Sequence, residues 1–144
     1  MPHIQIDYTA NLEADIQERK LVETLHQAAV ESGIFPVWGI RTIAQPVLHY
    51  RVGNGAPDNG FVQVFVRIGP GRDLALRQRI ASLLFDALMQ SMGSLLETRR
   101  LGCQLEVMEF DAALTHLANN HAEDLNAESP AILRRVAPQT APPA

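Results

Sequence analysis

The chain has 144 residues, 47% of them hydrophobic, 19% charged and 6% aromatic, a composition suited to one globular domain with a sizeable core. Sixteen acidic against twelve basic residues give a formal charge of −4, which excludes the basic footprint of a sequence-independent nucleic-acid binder. Cys103 is the single cysteine, so there is no intrachain disulfide, and neither a basic-then-apolar leader nor ~18 consecutive apolar residues occur; no membrane span is expected, and the expected location is the cytoplasm.

Ile4, Ile6 and Tyr8 alternate with His3, Gln5 and Asp7, the period of a strand with one face buried. Leu21, Leu25, Ala28 and Ala29 follow with helical spacing and Gly33 supplies a stop, which predicts a helix over 13–32. The stretch from Ile34 to Ala44 is rich in β-formers and is expected to be a strand entered through a loop at Pro36 and Gly39. Asn54-Gly55-Ala56-Pro57-Asp58-Asn59-Gly60 is dense in turn formers and predicts a hairpin-like connection. Phe61 to Ile68 reads as a strand broken by Gly69-Pro70-Gly71; Leu76, Ile80, Leu83, Leu84, Ala87 and Leu88 mark a second helix. A last strand over 100–109 places Leu101, Cys103, Leu105 and Val107 on one face.

Slid against itself by 58 residues, the sequence superposes Ile4-Gln5-Ile6 on Val62-Gln63-Val64 and Val22, Leu25 and Ala29 on Ile80, Leu83 and Ala87. Strand and helix register therefore repeat together. The expected fold is α/β, an α+β sandwich of two βαβ repeats with parallel pairing inside each and two helices on one sheet face. The halves span about 2–53 and 60–115 of a single domain over 1–126, and 127–144 form a tail rich in Pro and Ala.

Five histidines show no metal-ligand spacing, so no metal is expected. No Ser-His-Asp or Cys-His triad is supported, and Cys103 on an apolar strand face reads as an inert hydrophobe. Gly69-Pro70-Gly71-Arg72 stands at a strand-to-helix junction that suits an anion. It is not a dinucleotide fingerprint, since position 74 is Leu, and on composition alone ordinary loop chemistry is the simpler account. Phe35 and Trp38 near Arg41 are pocket candidates, with plain core as the alternative.

Pro2 is the most informative position. Once Met1 is removed, its nitrogen is a secondary amine, and an α-amino group titrating near 7.7–8.0 becomes a neutral base when cations or burial depress it modestly. Arg41 and Arg72 are the candidate cations, and their guanidinium forks also suit carboxylates.

The stretches Pro2-His3-Ile4, Ser32-Gly33-Ile34-Phe35-Pro36, Gly39-Ile40-Arg41, Pro57-Asp58-Asn59 before Phe61-Val62, and Ile68-Gly69-Pro70-Gly71-Arg72-Asp73 occur in the order and spacing of a known family. Over Pro2 to about His121 the sequence resembles the 5-carboxymethyl-2-hydroxymuconate isomerases of the tautomerase superfamily. The resemblance implies two βαβ units per chain, a homotrimer and a cofactor-free proton shift in an unsaturated 2-hydroxy or 2-oxo carboxylate. It implies Pro2 as base and Arg41 and Arg72 as carboxylate and enolate binders, with Phe35 and Trp38 beside the substrate. The sequence does not assign the two arginines separate roles. Trp38 stands where the family pattern has a small residue, and a tail bearing Arg134 and Arg135 extends beyond it. Alternatives are a different enol-acid substrate, or a non-catalytic trimer that binds small anions.

Overall fold

The computed structural model describes residues 2–121 and the backbone of Arg135 and Val136. A four-stranded sheet is formed by β1 (His3–Thr9), β2 (Arg41–Val47), β3 (Gly60–Ile68) and β4 (Leu101–Glu109) in the order β2-β1-β3-β4. β1 runs parallel to β2, β3 parallel to β4, and β1 antiparallel to β3. Each half is thus a βαβ unit. At the sheet centre Ile6 pairs with Val64, while Ile4 pairs with Val66 and Tyr8 with Val62. Ile6 and Val64 are themselves 58 residues apart, so a pseudo-two-fold axis at this pair relates the halves.

Alternation decides which face is covered. Ile4, Ile6, Tyr8, Val62, Val64, Val66 and Ile68 are buried beneath α2 (Leu21–Glu31) and α3 (Leu74–Met92), which contribute Leu21, Leu25, Ala29, Ile80, Leu84 and Leu88. On β4, Leu101, Cys103, Leu105 and Val107 pack against the same core. The other face carries Gln5, Asp7, Ile43, Gln45, Gln63, Phe65 and Arg67. No helix covers it among the described residues.

The first helix departs from expectation. A continuous helix over 13–32 is replaced by α1 (Glu13–Glu18) and α2, separated by Lys20 at φ 52°. Ile16 and Leu21, both buried, are five residues apart, which at about 100° per residue would carry Leu21 off the apolar stripe; the break restores its phase. Arg19 holds the break to the end of α3, its Nη1 donating to the Ser91 carbonyl (3.2 Å) while Ser91 Oγ donates to the Arg19 carbonyl (2.9 Å). Gly33, at φ 67°, ends α2 as anticipated, its N–H reaching the Val30 carbonyl.

The strand expected over 34–44 begins later and ends later. β2 can pair only from where β1 begins, His3 opposite Arg41; residues 37–39 form a 3₁₀ turn instead. Pro46 is tolerated because β2 is an edge strand. The connection after β2 is not hairpin-like either: β2 and β3 flank β1, and 48–59 cross its end, with Asn11 Nδ2 donating to the carbonyls of Pro57 and Asn59. A short ladder, Leu117–Ala118 (β5) against Arg135–Val136 (β6), was not anticipated. Arg134 and the rest of the 127–144 tail lie outside the described residues.

Candidate active site

Topology gathers the sequence candidates at one end of the sheet. β1 and β2 both start there, and β3, running antiparallel to β1, ends there with Arg67 opposite His3. Pro2 therefore adjoins the loop before β2, which carries Phe35 and Trp38, and the loop after β3, which carries Arg72.

Pro2 is buried and its carbonyl accepts the Arg41 N–H at 3.1 Å. The Arg41 side chain turns along the strand ends, where Nη1 donates to His3 Nε2 at 2.9 Å. The turn from Gly69 to Asp73 needs its glycine, because Gly71 adopts φ 109°. Asp73 then caps α3, its carboxylate accepting the Leu76 N–H at 2.8 Å. These two fixtures present Arg72, whose guanidinium lies 5.1 Å from the Phe35 ring centroid and donates to the Gly69 carbonyl at 3.3 Å. Phe35 is buried under it, tying the two loops together, whereas Trp38 is 40% exposed.

In the sequence His3 is a polar position of the first strand, a member of the Pro2-His3-Ile4 stretch and one of five non-clustered histidines. Its partnership with Arg41, and the position of Arg67 on the opposite strand, depend on register, which alternation does not reveal. The His3 imidazole is held below its usual pKa, first by partial burial, then by Arg41, the amino terminus and Arg67. Cys103 has its thiol pushed up to about 11 by burial, in keeping with an inert thiol.

The pseudo-symmetric end differs. Gly60, the counterpart of Pro2, donates its amide N–H to the Arg100 carbonyl at 2.8 Å, and a Cβ there would meet Leu12 side-chain carbons at 3.1–3.2 Å. Leu12 packs directly against Gly60 there. A groove of about 610 Å³ beside it is lined by Asp58 and Glu97 to Arg100, and one of about 380 Å³ runs between α2 and α3 near Ser32 and Arg79. Neither includes Pro2, Arg41 or Arg72. Among the described residues no group of three His, Cys, Asp or Glu could hold a metal ion, and no helix is long and apolar enough to cross a membrane.

Comparison with known proteins bears on the family and the fold. The family profile of 5-carboxymethyl-2-hydroxymuconate isomerase matches residues 2–125. The Escherichia coli 5-carboxymethyl-2-hydroxymuconate Delta-isomerase is 28% identical over 120 residues, covering 83% of this chain and 95% of the relative. A crystal structure of a 5-carboxymethyl-2-hydroxymuconate isomerase from Deinococcus radiodurans R1 superposes with a TM-score of 0.73 at 29% identity, over 79% of this chain and 86% of that one. A second crystal structure of a 5-carboxymethyl-2-hydroxymuconate delta-isomerase gives a TM-score of 0.70 at 28% identity, over 76% and 83% of the two chains. With two βαβ units on one sheet and a matching sequence from Pro2 onward, the chain has a tautomerase-like fold and belongs to the 5-carboxymethyl-2-hydroxymuconate isomerase family, as an isomerase of the tautomerase superfamily.

Proposed function

We propose that this protein, a single tautomerase-like domain through about residue 126, isomerises 5-carboxymethyl-2-hydroxymuconate to its 2-oxo-3-ene isomer without a cofactor. The neutral secondary amine of Pro2, exposed by loss of Met1, takes the proton of the 2-hydroxyl and returns it to a carbon further along the conjugated chain. No electrons leave the substrate. Arg41 and Arg72 bind carboxylates through their guanidinium forks and stabilise the enolate charge that develops on the 2-oxygen. Phe35 supports Arg72, and Trp38 faces the conjugated body of the substrate. The observation that supports this reading is that Pro2, whose carbonyl accepts the Arg41 N–H, lies at the same end of the sheet as the loops that bear Phe35 and the Arg72 stacked on it. Gly60, whose nitrogen is a chain amide donating to the Arg100 carbonyl, supplies no second base, which gives one site per chain.

The open sheet face argues for a homotrimer. Ile43 is 59% and Leu48 72% exposed, beside Val47 and Tyr50 along the β2 edge. Such a surface calls for other copies of the chain. A light-scattering mass near three times 15.9 kDa is expected, and a concentration-independent monomer would refute the trimer.

A spectroscopic assay of 5-carboxymethyl-2-hydroxymuconate ketonisation tests the activity, with turnover well above the solution rate expected. The exposed Trp38 favours a second reading, a different enol acid as substrate; a kcat/KM panel in which a phenylpyruvate enol or a smaller dienol acid outperforms the tricarboxylate would select it. Binding of these anions with no turnover would leave only an anion-binding protein.

A further inference from the structure

At the Pro2 end the open face of the sheet finishes in one row of side chains, Arg41 on β2, His3 on β1, Arg67 on β3 and Met108 on β4. The next residue of β2 fixes which way the row faces. Thr42 Oγ1 meets His26 Nδ1 of α2 at 3.0 Å, so Thr42 points to the helices and Arg41, its neighbour on an alternating strand, points to the other side. Arg72 comes from the helix side, stacked on Phe35 of the core. The strand end that bears Pro2 therefore lies between cations of both faces.

Arg67 is the cation of this group that the reaction has not yet used. It is exposed, and among the described residues its side chain takes part in no hydrogen bond or ion pair. Glu109, at the end of β4, is bound to Arg77 at 3.1 Å, and the position beside Arg67 on that strand is the uncharged Met108. Its charge reaches the site: the His3 imidazole is held below its usual pKa first by partial burial and then by neighbouring charges that include Arg67. Arg41 and Arg67 stand two strands apart, ~10 Å at the backbone, so their guanidinium groups can serve separate carboxylates. The substrate proposed above carries three, two on the muconate chain and one on the carboxymethyl arm, whereas Arg41 and Arg72 supply two forks. A carboxylate drawn out of water without a partner is costly. We infer that Arg67 receives the third carboxylate, and that it makes the site selective for a tricarboxylate over a dicarboxylate with the same conjugated chain.

The inference rests on the isomerase reading of the Pro2 site, and two measurements on the full chain separate them. The kinetic comparison sets 5-carboxymethyl-2-hydroxymuconate against 2-hydroxymuconate, which lacks the carboxymethyl arm. Arg67→Gln should lower the kcat/KM preference for the tricarboxylate about tenfold, the scale of losing one hydrogen bond to a charged group, and Arg67→Lys should recover part of it. Equal losses on both substrates, or no loss on either, would overturn the role. Light scattering on Arg67→Gln should return the native mass; dissociation would assign Arg67 to a contact between copies of the chain and overturn the inference. Calorimetry with the unreactive pair 2-carboxymethyladipate and adipate repeats the comparison without chemistry, and Arg67→Gln should weaken the first about tenfold relative to the second. If the native protein turned over neither muconate, the Pro2 reading would fall, while an unchanged calorimetric ratio in Arg67→Gln would be what overturns Arg67.

Discussion

Replacing Arg72 by alanine should separate what this residue does for the fold from what it does for the reaction. Its structural interactions are few: a cation–π contact with Phe35 at 5.1 Å and one long hydrogen bond to the Gly69 carbonyl at 3.3 Å. A partly exposed cation–π contact contributes about 0.5–1 kcal/mol and a net hydrogen bond about 0.5–1.5 kcal/mol. Since Arg72 is half-buried and its hydrogen bond is long, the combined cost to stability is about 1 kcal/mol, a few degrees in Tm for a chain of this size. Loss of a charge-assisted contact to an enolate or carboxylate is larger, about tenfold to a thousandfold in kcat/KM, or about 1.4–4 kcal/mol of transition-state stabilisation. Arg72→Lys should recover only part, because an ammonium lacks the planar fork. Phe35→Leu, which removes the ring beneath the guanidinium and keeps an apolar side chain, should fall between. Thermal unfolding and the ketonisation assay on the same preparations give both quantities. An Arg72→Ala protein that is folded and retains near-native kcat/KM would remove Arg72 from the site.

Three further outcomes follow from individual positions. Gly71→Ala should destabilise the protein by at least about 1 kcal/mol in denaturant unfolding, because φ 109° disfavours any side chain although no atom lies within 4 Å of the new Cβ; unchanged stability would contradict the strain. Leu88, fully buried in α3, should cost about 2–5 kcal/mol when truncated to alanine, and a loss under 1 kcal/mol would contradict its place in the core. Cys103, raised from 9.0 to about 11, should react slowly with thiol reagents near pH 8, and rapid stoichiometric labelling of the native protein would contradict its burial. Because the unfolded thiol ionises first, its contribution to stability is complete below pH 9 and is lost as pH rises toward 11.

Local periodicity was enough to locate β1, β3, β4 and α3, since Ile4, Ile6, Val62, Val64, Leu84 and Leu88 each repeat with the spacing of their own element. The half-chain offset went further, because the same 58 residues that align Ile6 with Val64 in sequence place them opposite each other in the sheet. Features set by contacts between distant segments were not legible. The break at Lys20 is fixed by Arg19 against Ser91, the start of β2 by where β1 can first pair, and the path of 48–59 by Asn11. The candidate site divides in the same way. Pro2, Arg41, Arg72, Phe35 and Trp38 were visible as residue types in motifs, but the stacking of Arg72 on Phe35 is a contact between two loops. The bond from Arg41 to His3 needs the parallel register of β1 and β2.

Pro2 as the base is decided by intact mass spectrometry paired with the ketonisation assay on two preparations, one beginning at Pro2 and one in which every chain retains Met1. Retention converts the Pro2 nitrogen into a tertiary amide with neither an N–H nor useful basicity, while the sheet, which begins pairing at His3, is left intact. The preparation beginning at Pro2 should isomerise the substrate and the Met1-retaining one should be folded and inactive. Turnover at the full rate by a preparation in which every chain carries Met1 would eliminate Pro2 as the base.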